Sequence, residues 1–187
     1  IPRIKRLSVD IEVEAEIGRI PDPKVAEKKV TAIGLKGTDG FDQIFVLRTD
    51  GTDEGVNELG QNIRIVFYDQ SKEKEMILDA FKIIEEFPFV LTYNGDEFDL
   101  PYLFNRAERL GIKNENNPLY MMKDSATLKH GVHLDLYRTL SNRSFQIYAF
   151  SQKYTDFSLN SVSKALLNKE KIDYGLEFDQ LSLYQIA

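Results

Sequence analysis

Residues 4–13 read IKRLSVDIEV, and the interpretation of the whole chain starts from this stretch. Its apolar side chains alternate in part with polar ones, a pattern that predicts a buried β-strand. Asp10 and Glu12 are two residues apart, so on a strand their side chains leave the same face. Two adjacent acids in an apolar strand repel each other and lose hydration, which a cation or a strong hydrogen-bond donor would offset. The alternative is that one acid ends the strand while solvent covers the other.

The strand and helix signals predict an α/β fold. Residues 30–35 and 41–47 are further strand candidates, and the Asp39-Gly40 pair between them is typical of a hairpin. We therefore expect three antiparallel strands at the start of the chain. Parallel strands connected by crossover helices should follow, giving one mixed sheet with helices on its faces.

The later elements are predicted from helical spacing and from capping residues. Ser71 is placed to cap a helix that Pro88 ends, and a core strand over residues 89–93 leads into an amphipathic helix that closes at Gly111. The remaining expected elements are a strand over 131–137, a hairpin within 139–154, a short helix over 159–166 and a last helix from about Asp179.

Composition limits the possible chemistry. The 187-residue chain has no cysteine and two histidines but 30 acidic residues, so a bound metal should be a hard cation held by carboxylates, Mg²⁺ or Mn²⁺. A net charge of −6 argues against coating duplex DNA through a broad basic face, although not against gripping a single-stranded end. No apolar run is long enough to span a membrane or to act as a signal peptide, so we expect a cytoplasmic protein.

A second acidic cluster, YNGDEFDLPY over residues 93–102, lies where the predicted core strand gives way to a helix. Ligand sites in open α/β sheets commonly lie at the carboxyl ends of strands. Asp99 should fall in the first helical turn, where the helix dipole favours an ionised carboxylate. The alternative is that Asp96 or Asp99 only caps the helix. A strand with two acids beside a strand-end aspartate supplies the converging carboxylates that two-metal phosphodiester hydrolysis needs.

These motifs resemble the exonuclease motifs of family B DNA polymerases, especially archaeal ones. Val9-Asp10-Ile11-Glu12 is similar to the first motif and the stretch over 93–99, YNGDEFD, to the second, while Tyr184 fits the opening of the third. The resemblance covers nearly the whole chain. It implies a ribonuclease-H-like fold and 3′→5′ proofreading exonuclease activity on a single-stranded 3′ end of DNA.

The resemblance also implies roles for individual residues. Asp10, Glu12 and Asp99 would be metal ligands, and Tyr184 would orient the attacking water or the scissile phosphate. The third-motif aspartate would be residue 188, which follows the last residue of the chain, so we expect an incomplete ligand set. We accordingly expect residues 1–187 to form one exonuclease domain truncated within that motif, whose partners are the palm, fingers and thumb of a parent polymerase.

Several weaker assignments remain open. Asn94 and Phe98 resemble positions that line the 3′-terminal nucleotide, but structural roles are equally compatible with the pattern. His133 and Asp135 share a strand face and suit an ordinary hydrogen-bonded pair better than a metal site. The hairpin expected around Asn142 could help to separate primer from template or could be a plain surface hairpin.

Two other functions compete with the exonuclease. A catalytically silent ribonuclease-H-like module with a structural or DNA-guiding role is the main alternative, and the residue that follows Ala187 in the parent protein would distinguish it. A glycosidase-like carboxylate pair is the weaker one, because acids two residues apart on one strand are better suited to sharing a metal than to flanking a glycosidic bond.

Overall fold

A six-stranded mixed sheet forms the centre of the protein, seen in a computed structural model that describes residues 4–15, 19–48, 63–123 and 125–172. The strand order in the sheet is β4-β3-β2-β1-β5-β8. Strands β1, β2 and β3 pair antiparallel, whereas β4 joins β3, β5 joins β1 and β8 joins β5 in parallel. The strands are β1 Arg6–Val13, β2 Val30–Gly37, β3 Asp42–Leu47, β4 Arg64–Tyr68, β5 Phe89–Thr92 and β8 Val132–Asp135.

Four α-helices and a small second sheet complete the described structure. Strands β6 (Leu119–Met122) and β7 (Ser125–Leu128) form an antiparallel pair of their own. None of the helices in the described ranges is long and apolar enough to cross a membrane. The helices are α1 Glu73–Glu85, α2 Asp99–Arg109, α3 Leu136–Leu140 and α4 Leu159–Leu167.

The core lies between one face of the sheet and helices α1 and α2. Leu7, Val9 and Ile11 of β1 are at most 5 % exposed and belong to one cluster with the apolar faces of the two helices. Burial of these alternate residues is what turns Asp10 and Glu12 to the opposite face of β1. The hydrophobic effect thus fixes the direction in which the two acids point.

The mixed α/β sheet predicted from the sequence is confirmed, including the three antiparallel strands at its start. The amphipathic helix is α2, and Gly111 follows it with φ +66°, as a helix-closing glycine should. The short helix expected over 159–166 is α4, which Ser158 caps by accepting a hydrogen bond from the Ser161 amide.

Two local predictions are wrong, and three strands were not predicted. Lys72, and not Ser71, stands at the N-terminus of α1, with no side-chain cap. The segment 139–154 is helical where we expected a hairpin: α3 occupies 136–140 and a π-helical turn follows at Phe145–Ala149. Strand β4 and the β6–β7 pair had no counterpart in the prediction. The last helix, expected from Asp179, lies outside the described residues.

Candidate active site

Two carboxylates meet at the carboxyl end of the central strands. Strand β1 continues past its last pairing with β5, Ser8 with Leu91, so its later residues have no strand neighbour on that side. Asp99, in the first turn of α2, fills this gap: its Oδ1 accepts a hydrogen bond from the Ile11 amide at 3.1 Å. The carboxyls of Asp10 and Asp99 lie close enough for each to change the pKa of the other. Acids 89 positions apart in the printed sequence thereby become neighbours.

The pKa values of this acid group are raised. Burial first, and the charge of Asp10 second, raise the pKa of Asp99, which is 4 % exposed, to about 8. Loss of hydration also raises the pKa of Asp10, although its side chain stays accessible to water. Burial and the charge of Asp10 raise the pKa of Glu12 to about 7. Charges held so close together are unfavourable without a proton or a cation between them.

Among the described residues, Lys171 is a positive group that acts on these acids, and the sequence did not point to it. Its charge lowers the pKa of both Asp10 and Glu12. The position of the residue is fixed through its backbone, since the Lys171 amide donates to Oδ1 of Asn160 in α4 at 2.8 Å. Lys171 stands in a polar, charged stretch, NKEKID, where nothing local distinguishes one lysine from another.

The donor atoms at this site fit a hard divalent cation. Asp10 and Asp99 offer adjacent carboxylate oxygens, and Glu12 leaves the same strand face as Asp10, so the chemistry is that of Mg²⁺ or Mn²⁺ ligands. Among the described residues, however, no three acid or histidine side chains are grouped closely enough to hold an ion as they stand. The site as seen is therefore a carboxylate pair with a third acid nearby.

The turn between β5 and α2 carries the other predicted residues. Asn94 adopts φ +66° and is half-buried, and its carbonyl accepts hydrogen bonds from the Glu97 and Phe98 amides. Phe98 is also half-buried, with its ring 5.5 Å from the ring of Tyr102. Phe98 stands at the N-terminus of α2 without a side-chain cap, so neither Asp96 nor Asp99 caps that helix.

The expected hydrogen-bonded pair of His133 and Asp135 is wrong, because each of the two side chains bonds to other partners. His133 contacts Oγ1 of Thr92 through Nε2 at 2.8 Å and Asp96 through Nδ1 at 3.2 Å. Burial lowers the pKa of His133 more than the neighbouring carboxylates raise it. Asp135 accepts hydrogen bonds from backbone amides of the turn. Tyr184 lies outside the described residues.

The mixed sheet with its strand order, the helices packed on it and the acids at the strand ends define an α/β domain of the ribonuclease-H-like exonuclease class. The model of the DNA polymerase family B exonuclease domain matches residues 1–162, and the chain belongs to this family.

Similar proteins include archaeal polymerases. DNA polymerase 1 of Saccharolobus solfataricus is 41 % identical over 182 residues, which are 95 % of the chain and 20 % of that protein. DNA polymerase 1 of Sulfolobus acidocaldarius is 38 % identical over 192 residues, 100 % of the chain and 22 % of that protein. DNA polymerase 1 of Aeropyrum pernix is 34 % identical over 186 residues, 99 % of the chain and 19 % of that protein. The chain thus spans about a fifth of the length of these relatives.

Proposed function

We propose that this domain removes nucleotides from the 3′ end of DNA, with Asp10, Glu12 and Asp99 as ligands of Mg²⁺ or Mn²⁺. The observation that carries the proposal is the contact between the carboxyls of Asp10 and Asp99 at the end of the central strands, with the pKa of Asp99 raised to about 8. A divalent cation would replace the proton that the pair shares and would bind best when both groups are ionised. Membership of the family supports the same reaction.

The chain's own residues would bind and orient the DNA end. Two bound ions would supply an activated water and stabilise the leaving oxygen of the phosphodiester. Asp10 and Glu12 would hold the ions from β1, and Asp99 would serve the second ion from the start of α2. Lys171, which already faces the acids, would attract the scissile phosphate to a site that is otherwise negative. Tyr184 would orient the water or the phosphate, a role that stays a prediction.

The turn before α2 would receive the terminal nucleotide. Asn94 and Phe98 lie on this turn, directly before the ligand Asp99. The amide of Asn94 can bond a base or a sugar, and the Phe98 ring can pack against a base. A single-stranded end would thus be the substrate, and the remaining domains of a polymerase of the relatives' length would be the partners of this one. The cytoplasmic location expected from the sequence stays a prediction.

One observation favours a second candidate, a catalytically silent module that guides DNA. Within the described ranges, no three acid or histidine side chains are arranged to hold an ion. A silent module would bind the DNA end through Asn94, Phe98 and Lys171 without cleaving it. The two candidates differ in their response to Asp10→Asn. In an exonuclease this change would abolish cleavage, whereas in a silent module there would be no cleavage to lose. In neither case would metal-free DNA binding weaken.

The test is Mn²⁺-dependent shortening of a 5′-labelled single-stranded oligonucleotide, followed on a sequencing gel. It is run on the 187-residue chain and on the same chain within a polymerase of the relatives' length. Asp10→Asn and Asp99→Asn should each reduce the rate at least about 100-fold, and calorimetry should show weaker Mn²⁺ binding by both variants. Asp42→Asn, which alters only a surface ion pair with Lys36, is the matched control. Binding of DNA with no cleavage by either protein would select the silent module.

A further inference from the structure

Asp135 lies at the end of β8 and accepts three hydrogen bonds from backbone amides. Its Oδ1 is 2.9 Å from the Asn94 nitrogen and 2.8 Å from the Tyr137 nitrogen, and its Oδ2 is 3.1 Å from the Asp96 nitrogen. The residue is 5 % exposed. Hydrogen bonds to a charged acceptor are stronger than those between neutral groups, so one buried carboxylate ties the strand-end turn to the start of α3.

The turn that Asp135 holds is one that the backbone does not favour by itself. Asn94 has φ +66°, in the left-handed region that asparagine tolerates better than most non-glycine residues, and contacts around it favour one such conformation over others. Strands β5 and β8 are parallel, with Thr92 opposite Asp135, so the carboxylate stands beside the first residues after β5. Asp135 is therefore placed to keep the backbone of Asn94 in this conformation.

A second tie holds the same turn through Asp96. The carboxylate of Asp96 accepts a hydrogen bond from Nη1 of Arg138 at 2.6 Å and contacts Nδ1 of His133 at 3.2 Å. The other nitrogen of His133 bonds the hydroxyl of Thr92 at 2.8 Å, at the end of β5. The backbone and the side chain of the turn are thus both attached to β8 and α3.

We propose that Asp135 is a positioning residue of the exonuclease site: by holding the Asn94 and Asp96 amides, it sets the place of Asn94 and of Asp99 relative to Asp10. The inference rests on the proposed function. The hydrogen bonds of Asp135 go to the turn and to the start of α3, so it acts on the acid pair through the turn. Only two residues, Glu97 and Phe98, separate Asp96 from Asp99, whose oxygen must stay within reach of the Ile11 amide. Small displacements of catalytic groups reduce rates strongly, so the restraint on the turn matters for turnover.

The competing role for Asp135 is purely structural, as the N-terminal cap of α3. Replacement by serine separates the two roles. Serine is among the best N-cap residues and can still accept the Tyr137 amide, but its single short hydroxyl cannot reach the Asn94 and Asp96 amides together. Asp135→Asn is the second variant. Both carboxylate oxygens of Asp135 accept backbone amides, so the NH₂ group of asparagine would place a donor against a donor and one of these hydrogen bonds would be lost. Asp22→Asn is the control, because the Asp22 side chain accepts a hydrogen bond from one backbone amide, that of Lys24, in an exposed loop.

The experiment measures the turnover number on saturating single-stranded DNA and the Mn²⁺ concentration at half-maximal rate. Both are taken at a temperature where circular dichroism shows every variant folded. D135S and D135N should each lower turnover at least about tenfold and raise the Mn²⁺ midpoint, while D22N should match the unaltered protein. Calorimetry should likewise show weaker Mn²⁺ binding by D135S and D135N and unchanged binding by D22N.

Each other outcome overturns the inference in a recognisable way. If the unaltered protein cleaves DNA in an Asp10-dependent manner and D135S keeps its turnover and Mn²⁺ midpoint, Asp135 is only a cap and the proposed function stands. If D135S does not fold, Asp135 is a residue of the fold and not of the site. If no Asp10-dependent cleavage or Mn²⁺ binding occurs in the unaltered protein, the proposed function fails, and the positioning role fails with it.

Discussion

Gly95 is the residue at which one added methyl group should disturb the site most. A Cβ at this position would lie 2.4 Å from both Cβ and Oγ1 of Thr92, well inside contact distance. We expect Gly95→Ala to lower the free energy of unfolding by about 1–3 kcal/mol, because Thr92 is buried at the end of β5 and cannot move aside freely. Urea denaturation followed by circular dichroism measures this loss.

Gly40→Ala is the matched control for the Gly95 substitution. Gly40 has φ +90° but nothing within 4 Å of an added Cβ, so its replacement tests backbone strain without a clash. We expect a loss of about 1 kcal/mol and no change at the site. If Gly95→Ala were no more destabilising than Gly40→Ala, the inference that Gly95 packs too closely on Thr92 to accept a methyl group would be wrong.

Asp99 should make the stability of the metal-free protein fall as the pH rises. Its pKa is raised from 3.8 to about 8 in the folded state, so between these values the folded protein holds a proton that the unfolded chain has released. The free energy of unfolding therefore decreases from about pH 4 to about pH 8 and then levels off. Asp99→Asn should flatten this slope, since asparagine keeps an oxygen for the Ile11 amide but does not titrate. Urea denaturation in EDTA across this pH range measures it.

Part of the slope should survive in Asp99→Asn because Glu12, whose pKa is raised to about 7, contributes in the same direction. Asp42→Asn, outside the site, should leave the slope unchanged. An equal slope in the unaltered protein and in Asp99→Asn would show that Asp99 is not protonated in the folded state. With saturating Mn²⁺ the slope should disappear, since the ion-bound folded protein and the unfolded chain would then both hold these acids ionised.

At the scale of single residues, the sequence predicts the acidic residues of the site but not the roles of the residues that contact or position them. Strand alternation is enough to put Asp10 and Glu12 on one face, and a strand followed by a glycine-containing turn is enough to put Asp99 at the start of a helix. Lys171 was not singled out, and Asp135 was named only as a hydrogen-bond partner of His133. Their roles arise from contacts between segments that are far apart in the chain, and such contacts leave no local pattern.

At the scale of elements, α2 does more than present Asp99. Its Arg106 forms a two-pronged ion pair with Glu73 of α1, with both nitrogen-to-oxygen distances 2.7 Å, and also donates to the carbonyls of Ala26 and Glu27. Tyr102 and Asn105 of the same helix donate to the carbonyls of Lys28 and Pro23. The loop before β2 is thus fastened to the helix that carries the metal-ligand candidate.

Removing Arg106 should be costly because Glu73 would stay buried without its charge partner. The two side chains are 9 % and 5 % exposed. We expect Arg106→Ala to lower the free energy of unfolding by about 3–5 kcal/mol, measured by urea denaturation. Lys82→Ala, which breaks an exposed pair with Asp79, should cost less than about 1 kcal/mol. Similar losses in the two variants would contradict the importance of the buried pair.

The elements that the sequence did not predict have physical explanations. Strand β4 pairs in parallel with β3 across a long connection, so no turn signal announces it. In segment 139–154, the turn residues around Asn142 and the aromatic residues after them are typical of a hairpin. Asp135 overrides this signal by capping α3, and the chain continues into a π-helical turn. Ser71 does not cap α1, whose N-terminal residue Glu73 is bonded to Arg106 and to the Val30 amide.

At the scale of the whole molecule, the strand order predicts how stability is distributed. Strands β1 and β2 lie inside the sheet with a neighbour on both sides, whereas β4 and β8 have one neighbour each among the described strands. Amide protons of β1 and β2 should exchange with solvent at least about tenfold more slowly than those of β4 and β8. Hydrogen exchange read by NMR measures this ratio. Equal protection across the sheet would mean that it opens only as a unit.

The hydrogen bond from the Ile11 amide to Asp99 joins residues 88 positions apart. During synthesis, β1 leaves the ribosome long before α2 does. Until α2 follows, Asp10 and Glu12 therefore lack Asp99 as a neighbour. The acid group comes together only when β5 has paired with β1 and α2 has docked. A nascent chain would therefore have no assembled acid group until most of its domain had been made. Any activity of the site would begin only when the domain had folded.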